Sequence, residues 1–300
     1  EQNASAFRVV DALGLVPAPS ALSFKNSFGH VAVIAGASLG AARLAARASL
    51  RAGAGLVTLV CSSDAGPDVP EPELMSRFVR VHGGAPAHAD VDAALKGMRA
   101  LAVGPGLGHA LADVARAFLE AAARNNIPCV VDAEAIDELA KAPIQNLRAV
   151  ITPHPGEAAR ALTIAGAVSS SALVQADRFA AVRALAAHFG EGIAVVLKGS
   201  CPLVVGDSAA GSAFARASGR VLVVEGGAVA LAVAGSGDVL AGTIAGLLAR
   251  GLDPANAAIA GTFAHQRAGK LLTASIGPRG ALAHEIADAI PAALLATSAQ

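Results

Sequence analysis

Short apolar runs that end in a glycine or a tight turn, and pass at once into a helical pattern, recur along this chain. Few architectures accept that alternation. VAVIAG at 31–36 is followed by an alanine-rich helical pattern through Arg51 and then by a second apolar run, AGAGLVTLV, at 52–60. RALAVGPGLG at 99–108 leads into a helix expected over 111–124, and IPCVVDAEAIDEL at 127–139 and AVITPHPGEAARAL at 149–162 repeat the arrangement. Strand, turn, helix, strand in succession implies α/β layers around a parallel sheet with right-handed crossovers, with ligands at the carboxyl ends of the strands. IAVVLKGSCPLVVGD at 193–207 departs from this: Lys198 and Gly199 end one strand, and Pro202 opens another after a very short turn. That reads as a hairpin, hence a small antiparallel extension near 197–224 that takes in short runs at 212–216 and 221–224. Further helices are expected over 171–189, 254–272 and 282–296.

With 300 residues and no internal linker rich in proline, serine or charge, the chain reads as one α/β domain preceded by an irregular arm over 1–22. It is 54% hydrophobic and lacks Tyr and Trp, so Ala, Val, Leu and Ile must build the core. Basic and acidic residues balance at 23 each, which leaves no net field to attract nucleic acid or a membrane surface. No apolar run is long enough to cross a bilayer, and the first residues lack a basic head followed by an apolar signal core. Cys61, Cys129 and Cys201 stand far apart without metal or redox spacing, and are read as buried reduced thiols. Together these features fit a cytoplasmic protein.

Residues 234–248, AGSGDVLAGTIAGLL, carry the strongest chemical signal. Gly235 and Gly237 flank Ser236, so the backbone can turn tightly and present amide hydrogens with no Cβ in the way. The helix that follows offers unpaired N–H groups and a partial positive end to an anion. Asp238 falls in its first turn, where it serves either as a helix cap or as a general base beside a transferring phosphoryl group.

The other strand ends supply further candidates. Asp132 faces the crevice, where it could bind hydroxyls or hold magnesium through water, while Glu134 and Asp137 are read as helix caps. Pro153 and Pro155 stiffen the loop around His154 and aim its imidazole. Lys198 either meets a phosphate as a point charge or guards a sheet edge. Residues 71–75 read as loop, because Pro67, Pro70 and Pro72 prevent a regular element. His265 and Arg279 read as exposed-face residues without a role. Gly36 and Gly40 lack the G-x-G-x-x-G spacing, so hydride transfer is not indicated.

The order GHVAVIAG, GAARLAARASLRAGAGLV, PELM, GPGLG, DAEAID, TPHPGEAARAL, LKGS, GSGDVLAG and PRGALAHEI resembles that of the NAD(P)H-hydrate dehydratase family. This family is the carbohydrate-kinase-like half of the nicotinamide nucleotide repair system, within the ribokinase-like superfamily. The resemblance spans about 23–291 and implies a three-layer α/β/α sandwich over 23–300. It implies dehydration of the hydrated cofactor driven by ADP, or ATP in eukaryotes, with Mg2+. Phosphorylation of the C6 hydroxyl would turn a poor leaving group into a good one, and the ring nitrogen would then expel phosphate. By motif position Asp238 matches the base, and Gly235, Ser236 and Gly237 match the anion hole. Nucleotide contacts fall on Lys198, Gly199, Ser200, Cys201, Pro202 and Gly237, and hydrate contacts on Ala41, Gly106, His154 and Asp238. The resemblance assigns no side-chain metal site. It also implies a homotetramer and a separate NAD(P)H-hydrate epimerase partner, since the arm over 1–22 is too short to hold one.

The chain departs from the family pattern at several points. Ala35 and Gly36 replace two glycines, Glu134 replaces Asp in D-A-D, and Asp137 replaces Asn. Before the anion hole, Ala228 stands for an asparagine, and Ala230 and Ala234 stand for glycines. The added methyl groups are expected to crowd the backbone that a phosphate approaches. Two other readings therefore stay open: a ribokinase-like small-molecule kinase whose product keeps its phosphate, and a nucleotide-binding protein without turnover.

Overall fold

The computed structural model describes residues 4–5, 14–18, 20, 22–62, 71–82, 84–206 and 220–295. In chain order the first elements are β1 (Ala4–Ser5), β2 (His30–Ile34), α1 (Leu39–Arg51), β3 (Leu56–Ser62) and β4 (Met75–Val79). A two-stranded ribbon of β5 (Val81–His82) and β6 (Ala85–Pro86) precedes α2 (His88–Leu95), β7 (Ala100–Val103) and α3 (Ala112–Arg124). Next come β8 (Cys129–Val131), α4 (Glu134–Lys141), β9 (Ala149–Ile151), α5 (Pro155–Ile164), α6 (Ser171–Ala176) and α7 (Arg178–Phe189). The chain continues through β10 (Ile193–Leu197), β11 (Leu203–Val205), β12 (Val221–Val223), α8 (Ser236–Ala249), α9 (Pro254–Ile276) and α10 (Ala283–Leu294).

Ten strands form the main sheet in the order β1-β12-β11-β10-β9-β8-β7-β2-β3-β4. Every neighbouring pair is parallel except the two that involve β11, so the expected antiparallel extension is present. The run at 212–216 lies outside the described residues. Helices α1, α8, α9 and α10 cover one face, where Ala42, Ala45, Val239, Ile244, Ala258 and Ile286 join one core. On the other face α2 to α5 and α7 close a second core around Phe118, Leu119, Ile136 and Leu185. The result is a three-layer α/β/α sandwich.

Small residues set how closely the layers approach. A Cβ on Gly242 would run into the carbonyl of Ala45, and the Ser49 hydroxyl donates to the Gly242 carbonyl at 2.9 Å. Helices α1 and α8 therefore cross nearly backbone to backbone.

Strand order reverses between β2 and β7: β3 and β4 follow on one side, β8, β9 and β10 on the other. An open sheet leaves a crevice at such a switch point, outside the strands' carboxyl ends. The turns after β2 and β7 are stitched across it, Ala37 N–H donating to the Leu107 carbonyl at 3.1 Å and Ser38 N–H to the Gly106 carbonyl at 2.9 Å.

Several sequence expectations need correction. Met75 opens an edge strand paired with β3 rather than ending a loop, because a strand with only one buried residue carries little periodicity. Pro67 and Pro70 lie outside the described residues. The helix expected over 171–189 is two helices, broken at Asp177, whose carboxylate caps the second by accepting from Ala180 N–H at 2.9 Å. Cys61 and Cys129 are buried, but Cys201 is exposed on the turn before β11.

Candidate active site

Three neighbouring strands each deliver a polar residue to the crevice as they end. After β8 comes Asp132, after β9 Thr152 and His154, and after β10 Lys198. Adjacent strands then bring these side chains into contact. The Lys198 ammonium lies 2.9 Å from Asp132 Oδ1 and 3.4 Å from Glu157 Oε2. Asp132 Oδ1 also accepts from the Thr152 hydroxyl at 2.7 Å, and Glu157 Oε2 accepts from His154 N–H at 2.7 Å. Burial alone would lower the lysine pKa, but the two carboxylates outweigh it and raise it, so Lys198 is a fixed cation. It is no edge guard.

Helix α8 packs against β2, β7 and β8, and so carries its N-terminus over this cluster. Gly235 takes a left-handed conformation there, φ 87°, and a Cβ on it would stand 2.6 Å from Leu44 Cδ1 and 2.9 Å from Ala283 Cβ. Only glycine fits. The Ser236 amide is taken by the Val233 carbonyl at 3.3 Å, which leaves the amides of Gly237 and Asp238, in the helix's first turn, as donors for an anion. Two amides of the first turn are therefore open to an anion there.

Asp238 does not cap the helix. Among the described residues its carboxyl accepts no hydrogen bond. Burial, then repulsion from Asp132, Glu134 and Glu157, outweighs the pull of Lys198 and pushes its pKa up to about 6. A partly buried, unpaired carboxylate titrating near neutrality is what a general base requires.

Beside the helix mouth opens a cleft of about 620 Å³. His154, Lys198, Gly199, Ser200, Pro202, Ser236 and Gly237 all line it, so most of the expected nucleotide set converges. Cys201 does not; its carbonyl points the other way and accepts from Arg178 Nη1 at 2.9 Å. Ala41 and Gly106 meet each other instead at the switch point, where a Cβ on Gly106 would stand 2.9 Å from the Ala41 methyl. His154 divides its work: Nδ1 caps α5 by accepting from Gly156 N–H at 3.0 Å and Glu157 N–H at 3.3 Å, while the exposed ring edge borders the cleft.

Of the three alanines before the glycine turn, Ala228 lines the cleft and the other two do not. Ala230 is buried in a short 3-10 turn, Ala234 is exposed, and the Ala228 methyl rests against Gly269 of α9. Glu134 and Asp137 lie in the first turn of α4, yet neither caps it, and Asp137 pairs with Arg160 at 2.9 Å.

Several residues that shape the site escaped the sequence reading, among them Glu157, His265 and Arg178. His265 is buried, not exposed, and its Nε2 sits 3.0 Å from the Ser236 carbonyl oxygen. Its signal was present: Thr262, His265 and Gln266 set a polar i, i+3, i+4 face on the otherwise apolar run at 257–266, and all three line the cleft. Arg178 spans from α7 to the loop after β10, donating to the carbonyls of Leu197, Lys198 and Cys201. Nothing in the local pattern announces that contact. Arg279 is exposed, as expected.

Among the described residues no three His, Cys, Asp or Glu side chains are grouped to hold a metal ion. Asp132 and Glu157 are engaged by Lys198, an arrangement that suits a magnesium ion carried on nucleotide phosphates and water, with Asp132 as an outer contact.

A family model described as NAD(P)H-hydrate dehydratase matches residues 31–292. The bifunctional NAD(P)H-hydrate repair enzyme Nnr of Coxiella burnetii is 37% identical over 247 residues, which cover 81% of this chain and 46% of that protein. The chain thus spans about half the length of that relative. The ADP-dependent (S)-NAD(P)H-hydrate dehydratase of Neisseria meningitidis is 37% identical over 241 residues, covering 77% of this chain and 72% of the relative. Among solved structures, the ADP/ATP-dependent NAD(P)H-hydrate dehydratase of Bacillus subtilis, co-crystallized with ATP/Mg2+, matches with a TM-score of 0.74 and 25% identity, over 95% of this chain and 96% of that one. The ribokinase-like sandwich expected from the motifs is the fold found.

Proposed function

The chain belongs to the NAD(P)H-hydrate dehydratase family, and on that premise we propose that it returns the S form of hydrated NADH or NADPH to the reduced cofactor at the expense of ADP or ATP. The observation that carries the reading is Asp238: an unpaired carboxyl, pKa about 6, at a helix N-terminus beside the Lys198 cation. Asp238 accepts the proton of the C6 hydroxyl as that oxygen attacks the terminal phosphoryl group. The Gly237 and Asp238 amides hold the phosphoryl oxygens in transit. The nucleotide occupies the cleft of about 620 Å³, with Lys198, Gly199, Ser200 and Pro202 along its phosphates, and the hydrate reaches from Asp238 toward Ala41, Gly106 and His154. Magnesium, when bound with the nucleotide, screens phosphate charge. The lone pair of the ring nitrogen then expels phosphate from C6, and loss of a proton from C5 to solvent restores the C5–C6 double bond of the dihydropyridine. An NAD(P)H-hydrate epimerase is the functional partner this stereospecificity requires, and self-association as a tetramer belongs to the same reading.

Incubation of the protein with hydrated NADH and each nucleotide in turn tests it. Recovery of dihydropyridine absorbance with matching release of inorganic phosphate is expected, and Asp238→Asn should lower kcat by about 10²- to 10⁴-fold. A stable phosphorylated product would identify a kinase instead; wild-type activity in Asp238→Asn would remove the base.

A further inference from the structure

His265 and Ser236 are 5% and 6% exposed and meet beneath the mouth of α8. His265 Nε2 lies 3.0 Å from the Ser236 carbonyl oxygen and 3.1 Å from its hydroxyl oxygen. A carbonyl oxygen can only accept, so Nε2 carries the ring proton. That same N–H points at the hydroxyl oxygen, which therefore accepts as well. The hydroxyl's own proton must turn elsewhere, and no other described residue takes it. Ser236 lines the cleft next to Gly237 and Lys198, whose amide and ammonium suit an anion. Burial, the dominant influence, holds the His265 pKa down to about 4, so the ring stays neutral across the physiological range and keeps this hydrogen-bond pattern.

We propose that His265 is a positioning residue whose Nε2–H fixes the Ser236 side chain, so that the Ser236 hydroxyl donates to the phosphoryl group in transit alongside the amides of Gly237 and Asp238. The inference rests on the nucleotide-dependent reading above and adds to it a side-chain donor held from behind by α9.

The test uses the full chain and four variants: Ser236→Ala, His265→Leu, His265→Gln and the double variant Ser236→Ala/His265→Leu. Steady-state kinetics with hydrated NADH and nucleotide are paired with calorimetric binding of orthovanadate together with AMP or ADP, the nucleotides left when ADP or ATP gives up its terminal phosphoryl group, as a mimic of that group in flight. Ser236→Ala and His265→Leu should each lower kcat about 10²-fold, as loss of one oxyanion donor does, with nucleotide KM within about threefold. His265→Gln should recover most of that loss, because its Nε2 donor stands the same number of bonds from the backbone. The double variant should be no worse than Ser236→Ala, as expected for residues acting as one unit. A purely structural histidine would instead lower stability without sparing KM, and its effect would multiply with that of the serine. Wild-type kcat in Ser236→Ala overturns the proposal, as does a double variant that falls by the product of the two singles. Should His265→Leu fail to fold, Ser236→Ala and His265→Gln decide alone. Absence of turnover in the wild type would sink the dehydratase reading but not this inference, which then stands if Ser236→Ala weakens nucleotide–vanadate binding and falls if it does not.

Discussion

Asp238 answers two demands that conflict. Chemistry needs it unpaired and hard to ionise; stability would prefer it paired or neutral. Its folded pKa of about 6 lies above its ordinary value of 3.8, so between those values the native state holds a proton that the unfolded state has released. Stability therefore falls as pH rises through that window, and the penalty is complete above about pH 6. Discounted for partial exposure, it is of order 1 to 2 kcal/mol. Asp238→Asn is thus expected to raise urea resistance by about that amount at pH 8, with the gain vanishing below about pH 4, while turnover is lost. In the wild type, kcat/KM should fall with a one-proton slope below about pH 6. Motif order alone was enough to single out Asp238, Lys198 and His154. It could not single out Glu157 or His265, whose importance comes from what lies across the crevice: the ammonium of Lys198 in one case and the backbone of Ser236 in the other.

At the level of elements, the loop after β10 is shaped from behind. Arg178 Nη1 holds the Cys201 carbonyl at 2.9 Å, and Nη2 reaches those of Leu197 and Lys198 at 3.2 and 3.3 Å. A Cβ on Gly199 would come within 2.8 Å of Nη2, so the loop's glycine and the arginine require one another. Arg178→Ala should raise nucleotide KM by about tenfold, the equivalent of one net hydrogen bond to a charged donor, with kcat within about twofold. Arg178→Lys should recover only part, since an ammonium cannot span three carbonyls with a planar fork. Steady-state kinetics over a nucleotide series measure both; an unchanged KM in Arg178→Ala would remove the loop-shaping role. Helix and strand periods placed α1, α3, α9 and α10 within a few residues of where they lie. The break at Asp177 and the edge strand β4 were not legible, because a side-chain cap inside a helical pattern and a mostly exposed strand leave little trace in periodicity.

Across the whole molecule, the two cores have separable duties. The α1, α8, α9 and α10 layer carries the α8 N-terminus and His265 beneath it, while the α2 to α5 and α7 layer chiefly backs the sheet. Phe118, fully buried in the second layer, tests the division: Phe118→Ala should destabilise by about 3 to 5 kcal/mol in chemical denaturation, with kcat of the folded enzyme within about twofold. A large fall in kcat with stability preserved would show that this layer tunes the site directly. The sequence by itself determined the α/β/α architecture and which turns lie at the ends of its strands, because strand–turn–helix alternation and glycine placement are local properties that the backbone must obey wherever it folds. Which amides of the anion hole remain free, which carboxylates Lys198 neutralises, and what supports Ser236 were decided only by tertiary structure. Those contacts join residues as distant as Asp132 and Lys198, or Ser236 and His265, and no spacing along a chain encodes the distance between two strands or helices that meet only after the sheet has closed.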